Sequence, residues 1–456
     1  MDALKDVEVK SGGNWFERYF EFDKYKTDMR TEILAGITTF MTMAYVLFVN
    51  PAILSDAIGK EAFNSLVAVT ALAAGMSTIL MGLYAKKPFA LAPGMGLNAY
   101  FAYSVVLGMG YDWRVALAAV FVEGILFIIL SITKVRSAII HAIPLSQKYA
   151  VGAGIGLFLT LIGLNDVGLL SAVVKDGVLQ FTALNAPALA TKQILLFFFG
   201  LLLAAALIAR RIKGALLISI LATSALGWIT GAAPWPSQLF STPNISYTFM
   251  KMDLRGLLNV GAFGVVFAFF MVDFFDTLGT VTGLSAKAGF LTKDGKVPDA
   301  EKVLLTDAVG TTFGAILGTS TVTTYIESAA GIEEGGRTGM TSLVTGFLFL
   351  AIGLFIAPLA GAIPTFATAP ALVIVGYYML SAIREVDFAD HTEAIPAFLV
   401  LITIPYTYSI ADGIGMGFIS YAIIKALSGR GKEVHPLLYI LAGIFVLYFL
   451  YLGGVF

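Results

Sequence analysis

The residues from Val266 to Gly283 read V-F-A-F-F-M-V-D-F-F-D-T-L-G-T-V-T-G and, with the apolar residues before them, are long enough to cross a bilayer. They also contain two carboxylates, Asp273 and Asp276, about one helical turn apart. An ionised carboxylate is costly to bury in hydrocarbon, so acids at this depth usually face a polar cavity or a partner. The stretch therefore predicts a functional site inside the membrane, and Glu327, another acid in an apolar context, is a second candidate.

The composition is that of a polytopic membrane protein. Hydrophobic residues make up 58% of the 456 residues, charged residues only 13%, and the mean hydropathy is +0.86. A soluble chain of this length needs more charge to cover its surface. There is no cysteine, which excludes disulfides, thiol catalysis and thiolate metal sites. Residues 1–30 are polar and lack a signal peptide, so they are expected to form a cytoplasmic tail, with either an interfacial helix near Asn14 to Tyr25 or a simple folded segment.

The apolar segments number about seven plus seven. The first set lies near 31–53, 66–84, 91–109, 113–132, 147–165, 192–210 and 214–232, and the second near 257–286, 300–318, 320–333, 339–358, 366–383, 393–410 and 412–428. An odd number of spans inverts the second half relative to the first, which predicts an inverted-repeat transporter. A further apolar run, Pro436 to Phe456, is either one more span or an interfacial helix.

Positive charges predict the orientation. They fall on one side if the N-terminus is cytoplasmic. The charges are Lys86 and Lys87, Lys134 with Arg136, Arg210 and Arg211 with Lys213, Lys287 with Lys293 and Lys296, and Arg430 with Lys432.

Segments three and ten are irregular. In the third, which runs from Ala90 to Phe101, Pro93 and two nearby glycines disfavour a regular helix. In the tenth, Ser320 to Tyr325 is rich in Thr and Val and favours a strand. Each segment is therefore expected to be a short strand followed by a half-helix, and interrupted segments at matching positions indicate a midplane binding site.

The half-helices are expected to begin near Asn98 and Ile326 and to point at a common centre, which Asp276 approaches from the side. Backbone N–H groups near Gly96 and an aromatic ring such as Tyr100 would complete the pocket. Carboxylate acceptors suit a planar, neutral ligand with several N–H donors, and they would repel an anion. The alternatives are structural: a hydrogen-bonding role for each acid and a helix cap for Asn98.

The acids also provide a proton-coupling device, because desolvation favours the protonated form of a carboxyl group. Asp276 and Glu327 are the first candidates to carry the proton, and Asp273 is a further one that is also compatible with a structural role. Glu123 is expected to be an internal polar partner, and Glu32 to lie at the interface.

Other chemistries lack their motifs. There is no phosphate loop, no H-E-x-x-H zinc motif and no G-x-S-x-G elbow. The histidines, His141, His391 and His435, are too scattered for a metal site, so neither a metal nor a cofactor is expected.

Four motifs carry a resemblance that covers nearly the whole chain. They are Gly36-Ile-Thr-Thr-Phe-Met-Thr-Met-Ala-Tyr-Val-Leu-Phe-Val-Asn-Pro51, Ala92-Pro-Gly-Met-Gly-Leu-Asn-Ala-Tyr-Phe101, Asp273-Phe-Phe-Asp-Thr-Leu-Gly-Thr280 and Gly318-Thr-Ser-Thr-Val-Thr-Thr-Tyr-Ile-Glu-Ser328. With them the chain resembles the nucleobase–ascorbate transporter family, and within it the AzgA-like branch of adenine, guanine and hypoxanthine permeases.

The resemblance implies a core domain of residues 31–145 and 251–360 and a gate domain of residues 146–250 and 361–456. It also implies proton-coupled uptake by an elevator-like movement, often in a homodimer.

The resemblance also assigns the site. It places the family's eighth-helix acid on Asp276, its tenth-segment acid on Glu327, and the branch's Gly-x-Asn on Gly96 and Asn98. Thr280 stands where uracil-transporting relatives have a His, and some relatives have Gln at the Glu327 position. Both departures favour the purine branch over uracil or xanthine carriers.

The sequence thus predicts an all-α polytopic membrane protein with two short strands in its broken segments. Its expected function is proton-coupled import of purine bases such as guanine, hypoxanthine or adenine across the cytoplasmic membrane. It is not expected to be an enzyme or to bind nucleic acid. An anion exchanger or channel of the same fold is the first alternative, and an intramembrane enzyme is the second.

Overall fold

The computed structural model describes residues 15–132, 143–175, 178–185, 189–258, 262–292 and 297–452. Within these ranges, eight helices are long and apolar enough to cross a membrane, and three shorter apolar helices accompany them. The prediction of a multi-pass membrane protein is confirmed. Some of the basic residues that predict the orientation lie outside the described residues: Lys134, Arg136, Lys293 and Lys296. His141 lies outside them as well. The orientation stays a prediction.

The first half follows the predicted segments closely. Its elements are α1 (Trp15–Tyr19), α2 (Phe22–Tyr25), α3 (Met29–Met43), α4 (Val46–Ile58), α5 (Phe63–Leu80), β1 (Leu91–Pro93), α6 (Met95–Ala99), α7 (Trp113–Ile132), α8 (Leu145–Asp166), β2 (Leu170–Lys175), β3 (Val178–Leu184), α9 (Lys192–Ala209) and α10 (Ala215–Ile229). The helix α6 continues as a wider helical stretch from Tyr100 to Gly108. In the N-terminal tail, where either one interfacial helix or a simple folded segment was expected, the structure has two short helices, α1 and α2.

The second half repeats the pattern. Its elements are α11 (Ala262–Lys287), α12 (Ala300–Leu317), β4 (Val322–Thr324), α13 (Ser328–Glu333), α14 (Gly339–Leu348), α15 (Ala357–Ala362), α16 (Thr365–Leu380), α17 (His391–Thr407), α18 (Ile410–Leu427) and α19 (Pro436–Leu452). In packing, α14 lies against α3 and α5, α12 against α7, and α8 against α16 and α17.

The two broken segments meet in a small antiparallel sheet. Strand β1 pairs with β4, with Leu91 opposite Thr324 and Pro93 opposite Val322. Pro93 has no N–H to donate, and the pairing is extended by the N–H of Gly94, which donates to Thr321 O at 2.9 Å. The two predicted strands are confirmed. Because they pair, the half-helices α6 and α13, which follow them, begin close to the same small sheet. A second hairpin, β2 with β3, follows α8 and was not predicted.

Helices α8 and α16 cross at two glycines. A Cβ added to Gly156 would lie 2.5 Å from Gly376 O, and one added to Gly376 would lie 2.4 Å from Gly156 O. The two backbones are therefore in direct contact, as small residues allow in membrane helix pairs. The reciprocal contact joins corresponding helices of the two halves.

Glu32 corrects an expectation. It was expected at an interface, but it is fully buried. Its carboxylate accepts the N–H groups of Arg337 at 2.9 Å, Thr338 at 3.3 Å and Thr341 at 3.2 Å, and the Thr341 hydroxyl at 2.6 Å. These donors are the free N–H groups at the start of α14, where a negative charge is favourable. Glu32 thus joins the first segment to the eleventh.

The trailing helix α19 packs against α18 and also contacts α11 through an aromatic pair. Phe445 lies between the two, with ring centroids 5.6 Å from Phe267 on α11 and 5.9 Å from Phe418 on α18. The final residues, 453–456, lie outside the described residues.

Candidate substrate site

Glu327 directly precedes α13 and is held by the first segment. The hydroxyl of Tyr45, in the link between α3 and α4, donates to Glu327 Oε1 at 2.8 Å. The hydroxyl of Thr42 approaches Glu327 O at 3.4 Å. The carboxylate therefore has a fixed direction, on a residue that is half-buried as a whole.

Asp276 approaches this point from α11. It is half-buried, the hydroxyl of Thr323 on β4 lies within its hydrogen-bonding reach, and its charge interacts with those of Glu327 and Asp307. The structure thus brings the two predicted acids, Asp276 and Glu327, to one place. Among the described residues, the charged groups that act on Asp276 are themselves acidic.

An open groove borders the acids. Below Asp276 on the same face of α11, Gly279 and Gly283 are exposed and Thr280 is half-buried. A Cβ at Gly279 would meet nothing within 4 Å, and one at Gly283 would meet only Ile326 Cδ1 at 3.7 Å. Ile326 is 49% exposed. The groove thus runs between a flat face of α11 and the chain that leads into α13.

The half-helices begin at other residues than predicted. The helix α6 begins at Met95, with Gly94 as its N-cap, and α13 begins at Ser328, with Glu327 as its N-cap. Asn98 therefore lies inside α6 rather than at its start, because the sheet pairing ends at Pro93 and the helix follows at once. The alternative of Asn98 as a helix cap is wrong for the same reason.

Asn98 and Gly96 face other parts of the protein. Asn98 is fully buried, and its Oδ1 accepts the hydroxyl of Ser320, so it ties the third segment to the tenth. A Cβ on Gly96 would lie 2.5 Å from Ile155 Cγ2 on α8. This glycine allows α6 to approach α8 closely.

Tyr100 is not brought to the two acids. Its ring is fully buried, with its centroid 4.8 Å from that of Phe269. The titratable groups that act on its hydroxyl are Tyr448, Asp412 and Tyr111 rather than Asp276 or Glu327. Besides Tyr45, Tyr378 on α16, which is 42% exposed, interacts electrostatically with the Glu327 carboxylate.

Asp273 points into a buried network of hydroxyl groups and acids. The hydroxyls of Thr277 and Thr311 approach its two oxygens at 3.4 Å each. The Thr277 hydroxyl also lies 2.8 Å from Asp307 Oδ2 and 2.9 Å from Thr323 Oγ1. Because Thr323 reaches Asp276, the network connects the two acids of α11.

Sequence reasoning missed four members of this site: Tyr45, Thr277, Asp307 and Thr323. Asp307 carried a usable signal, because it is another acid inside an apolar segment. Tyr45 lies within one of the quoted motifs but was not singled out. The threonines carried none, since hydroxyl side chains are common in membrane helices, where they bond to their own backbone.

Replacing Tyr45 by Phe removes only the hydroxyl that holds Glu327. Hydrogen bonds to charged groups contribute about 1.5–3 kcal/mol, so we expect the apparent substrate affinity to fall by roughly tenfold or more. The maximal uptake rate should change less, because the ring still fills its buried site. A KM measurement on initial uptake rates, with Thr42→Val as the control for the weaker 3.4 Å contact, checks this. An unchanged KM would contradict it.

The arrangement offers acceptors rather than positive charge. Two carboxylates from half-buried residues border one groove, and the hydroxyl of Tyr378 on α16 interacts electrostatically with Glu327. A ligand with N–H donors and no negative charge satisfies these acceptors, whereas an anion meets repulsion. The geometry therefore argues against the anion-exchanger alternative.

The comparisons with known proteins agree with this chemistry. The Permease family matches residues 30–416. The adenine permease AdeP of Escherichia coli (strain K12) is 40% identical over 437 residues, which cover 96% of this chain and 96% of that protein. The guanine/hypoxanthine permease PbuG of Bacillus subtilis (strain 168) is 42% identical over 444 residues, which cover 95% of this chain and 99% of that protein.

Solved structures show the fold. The transmembrane domain of a cyanobacterium bicarbonate transporter, BicA, matches with a TM-score of 0.64 at 15% identity and covers 85% of this chain and 97% of that chain. This likeness confirms the predicted seven-plus-seven inverted repeat and, at that identity, bears on nothing else. The permease family and the permease relatives make this chain a multi-pass transporter rather than an enzyme, and the chain belongs to the nucleobase–ascorbate transporter family, in its branch of adenine, guanine and hypoxanthine permeases.

Proposed function

We propose that this chain imports purine nucleobases together with protons across the cytoplasmic membrane. The observation that carries the proposal is the pair Asp276 and Glu327, two half-buried acids that lie together at one groove with acidic neighbours. The names of the relatives, an adenine permease and a guanine/hypoxanthine permease, support the choice of ligand.

A purine satisfies the groove in two ways. Its N–H groups donate to the carboxylates of Asp276 and Glu327, and such charge-assisted bonds are stronger than neutral ones. Its flat ring fits beside the face of α11 at Gly279 and Gly283, where no side chain projects. Thr280 and Ile326 border the same space. Asn98 and Gly96 act indirectly in this proposal, by fixing the third segment against the tenth and against α8.

Protonation of at least one of the two acids supplies the coupling. A carboxylate that has bound a proton no longer carries a charge that must be desolvated when the site moves or closes. Binding of a proton and of a purine can then favour the same state of the carrier, which is the requirement for symport.

The movement proposed is that of a core domain, 31–145 and 251–360, against a gate domain, 146–250 and 361–456. Contacts between them include Gly96 with Ile155 and the hydroxyl of Ser104, which donates to Tyr408 O. The proposal also includes a cytoplasmic N-terminus and a homodimer in the lipid bilayer. Crosslinking in membranes tests the dimer, and protease access to the N-terminal tail in sealed vesicles tests the orientation.

Competition for uptake tests the function directly. Cells that lack their own purine carriers and express this chain take up labelled hypoxanthine, while unlabelled adenine, guanine, xanthine, uracil or bicarbonate competes. We expect the purines of the relatives' names to compete strongly, uracil and bicarbonate not to compete, and a protonophore to abolish accumulation. Uptake that ignores the protonophore and responds to bicarbonate would overturn the proposal in favour of the anion alternative.

A further inference from the structure

A second group of acids lies deeper in the protein than the substrate site. Glu123 is in the middle of α7, is fully buried, and neither of its carboxyl oxygens has a hydrogen-bond donor among the described residues. Its carboxyl group lies within hydrogen-bonding reach of that of Asp273 on α11, which is also fully buried. Two carboxyl groups are therefore in contact, and the part of the chain that the structure describes supplies Glu123 with no donor.

Within the described ranges, the charged groups that act on this pair are all acidic. From α12, Asp307 acts on both Glu123 and Asp273, and from α11, Asp276 acts on Asp273. Beside β4, Glu327 acts on Asp276 in turn. If Glu123, Asp273 and Asp307 were all ionised, three negative charges would share one buried site. Such an arrangement is prohibitive without a counter-charge, and one of two adjoining carboxylates takes up a proton instead.

The chemistry of the pair identifies the missing group. A carboxylic acid donates one hydrogen bond, and a facing carboxylate accepts it, so one proton satisfies both Glu123 and Asp273. A metal ion fits less well, because the described residues contain no set of three acidic or histidine side chains placed to hold one. We propose that Glu123 and Asp273 form a second proton-binding site, separate from the substrate carboxylates, whose proton exchanges during transport.

Hydroxyl groups connect this site to the substrate. Thr277 Oγ1 lies 3.4 Å from Asp273, 2.8 Å from Asp307 and 2.9 Å from Thr323, and Thr323 reaches Asp276. A hydroxyl donates only one hydrogen bond, so Thr277 must choose among these acceptors. A proton on the Glu123–Asp273 pair weakens Asp273 as an acceptor, so the Thr277 hydroxyl then favours the other acceptors. Occupancy of the pair thus changes the hydrogen bonding of Asp276, and this coupling role rests on the proposed symport.

Glu123→Gln tests the site in protein reconstituted into liposomes. Its amide donates permanently to Asp273, so it imitates the protonated pair. We expect accumulation driven by a pH gradient to fall on the order of tenfold, the usual size of a coupling between sites. Purine exchange at equal pH, which needs no net proton movement, should fall much less. Glu123→Asp keeps a carboxyl group that can share a proton, and it should recover part of the accumulation.

Asp412→Asn is the matched control, because Asp412 on α18 is a partly buried acid away from the pair, and its Oδ1 has no hydrogen-bond partner among the described residues. It should keep pH-driven accumulation. Equal accumulation by Glu123→Gln and the wild type would overturn the inference. Equal loss of exchange and accumulation in Glu123→Gln, without recovery in Glu123→Asp, would also overturn it by showing a purely structural role.

Infrared spectroscopy separates this inference from the proposed function. At neutral pH the wild type should show a protonated carboxyl band, sensitive to exchange in heavy water, that Glu123→Gln lacks. If the wild type shows that band but no pH-driven accumulation, the symport proposal fails and the proton site stands. If the wild type accumulates purine but lacks a band that depends on Glu123, the proton site fails and symport stands.

Discussion

Purine uptake by Asp276→Asn and by Glu327→Gln is expected to fall by roughly 10- to 150-fold each, because each change removes a charge-assisted hydrogen bond of about 1.5–3 kcal/mol. Both replacements keep the size of the side chain, so the groove beside α11 should keep its shape. The amides present a donor where the substrate also presents one. Initial uptake of labelled hypoxanthine, corrected for the amount of carrier in the membrane, measures the loss.

Glu333→Gln is the control for Glu327. Glu333 ends the same short helix, α13, but its side chain is 57% exposed and pairs with Lys287 at 2.5 Å. Exposed ion pairs contribute little, so uptake should stay within about twofold of the wild type. Near-normal uptake by both Asp276→Asn and Glu327→Gln would contradict the site, and a loss in Glu333→Gln of the same size would show that the effect is not local.

Glu32→Ala is expected to cause the largest loss of stability. It leaves the N–H groups of Arg337, Thr338 and Thr341 without their acceptor in a buried place. Each unsatisfied buried group costs about 1–3 kcal/mol, so the total loss should reach about 3 kcal/mol or more. The measurement is the thermal unfolding temperature in detergent, together with the yield of monodisperse protein.

Two variants calibrate this result. Glu301→Ala removes an exposed glutamate from the first turn of α12 and should change stability by less than about 0.5 kcal/mol. Glu32→Gln keeps one acceptor oxygen and should fall between Glu32→Ala and the wild type. If Glu32→Ala unfolds at the same temperature as Glu301→Ala, the link between the first and eleventh segments contributes nothing, and the prediction is wrong.

Most of the helices and strands could be predicted from local sequence. Apolar runs of bilayer length gave the helices, because a span must satisfy its backbone internally and keep its surface apolar. Pro93 and the Thr and Val residues before Tyr325 indicated the two strands, since these residues disfavour helix for reasons that depend on the residue itself. Asp276 and Glu327 stood out because an acid in an apolar segment is costly wherever the chain then folds.

The choice of partners needed the tertiary structure. Tyr45 donates a hydrogen bond to Glu327, 282 positions away in the sequence, and Thr341 donates one to Glu32, 309 positions away. No local sequence pattern predicts contacts at such separations. The first residues of the half-helices depended on where the pairing of β1 with β4 ends. The position of Tyr100 depended on its packing against Phe269. The sequence by itself determined which groups must be hidden from lipid, because the free-energy cost of exposing a polar group to hydrocarbon depends on that residue alone. Only the fold decided which groups meet, because a hydrogen bond depends on two atoms being brought together.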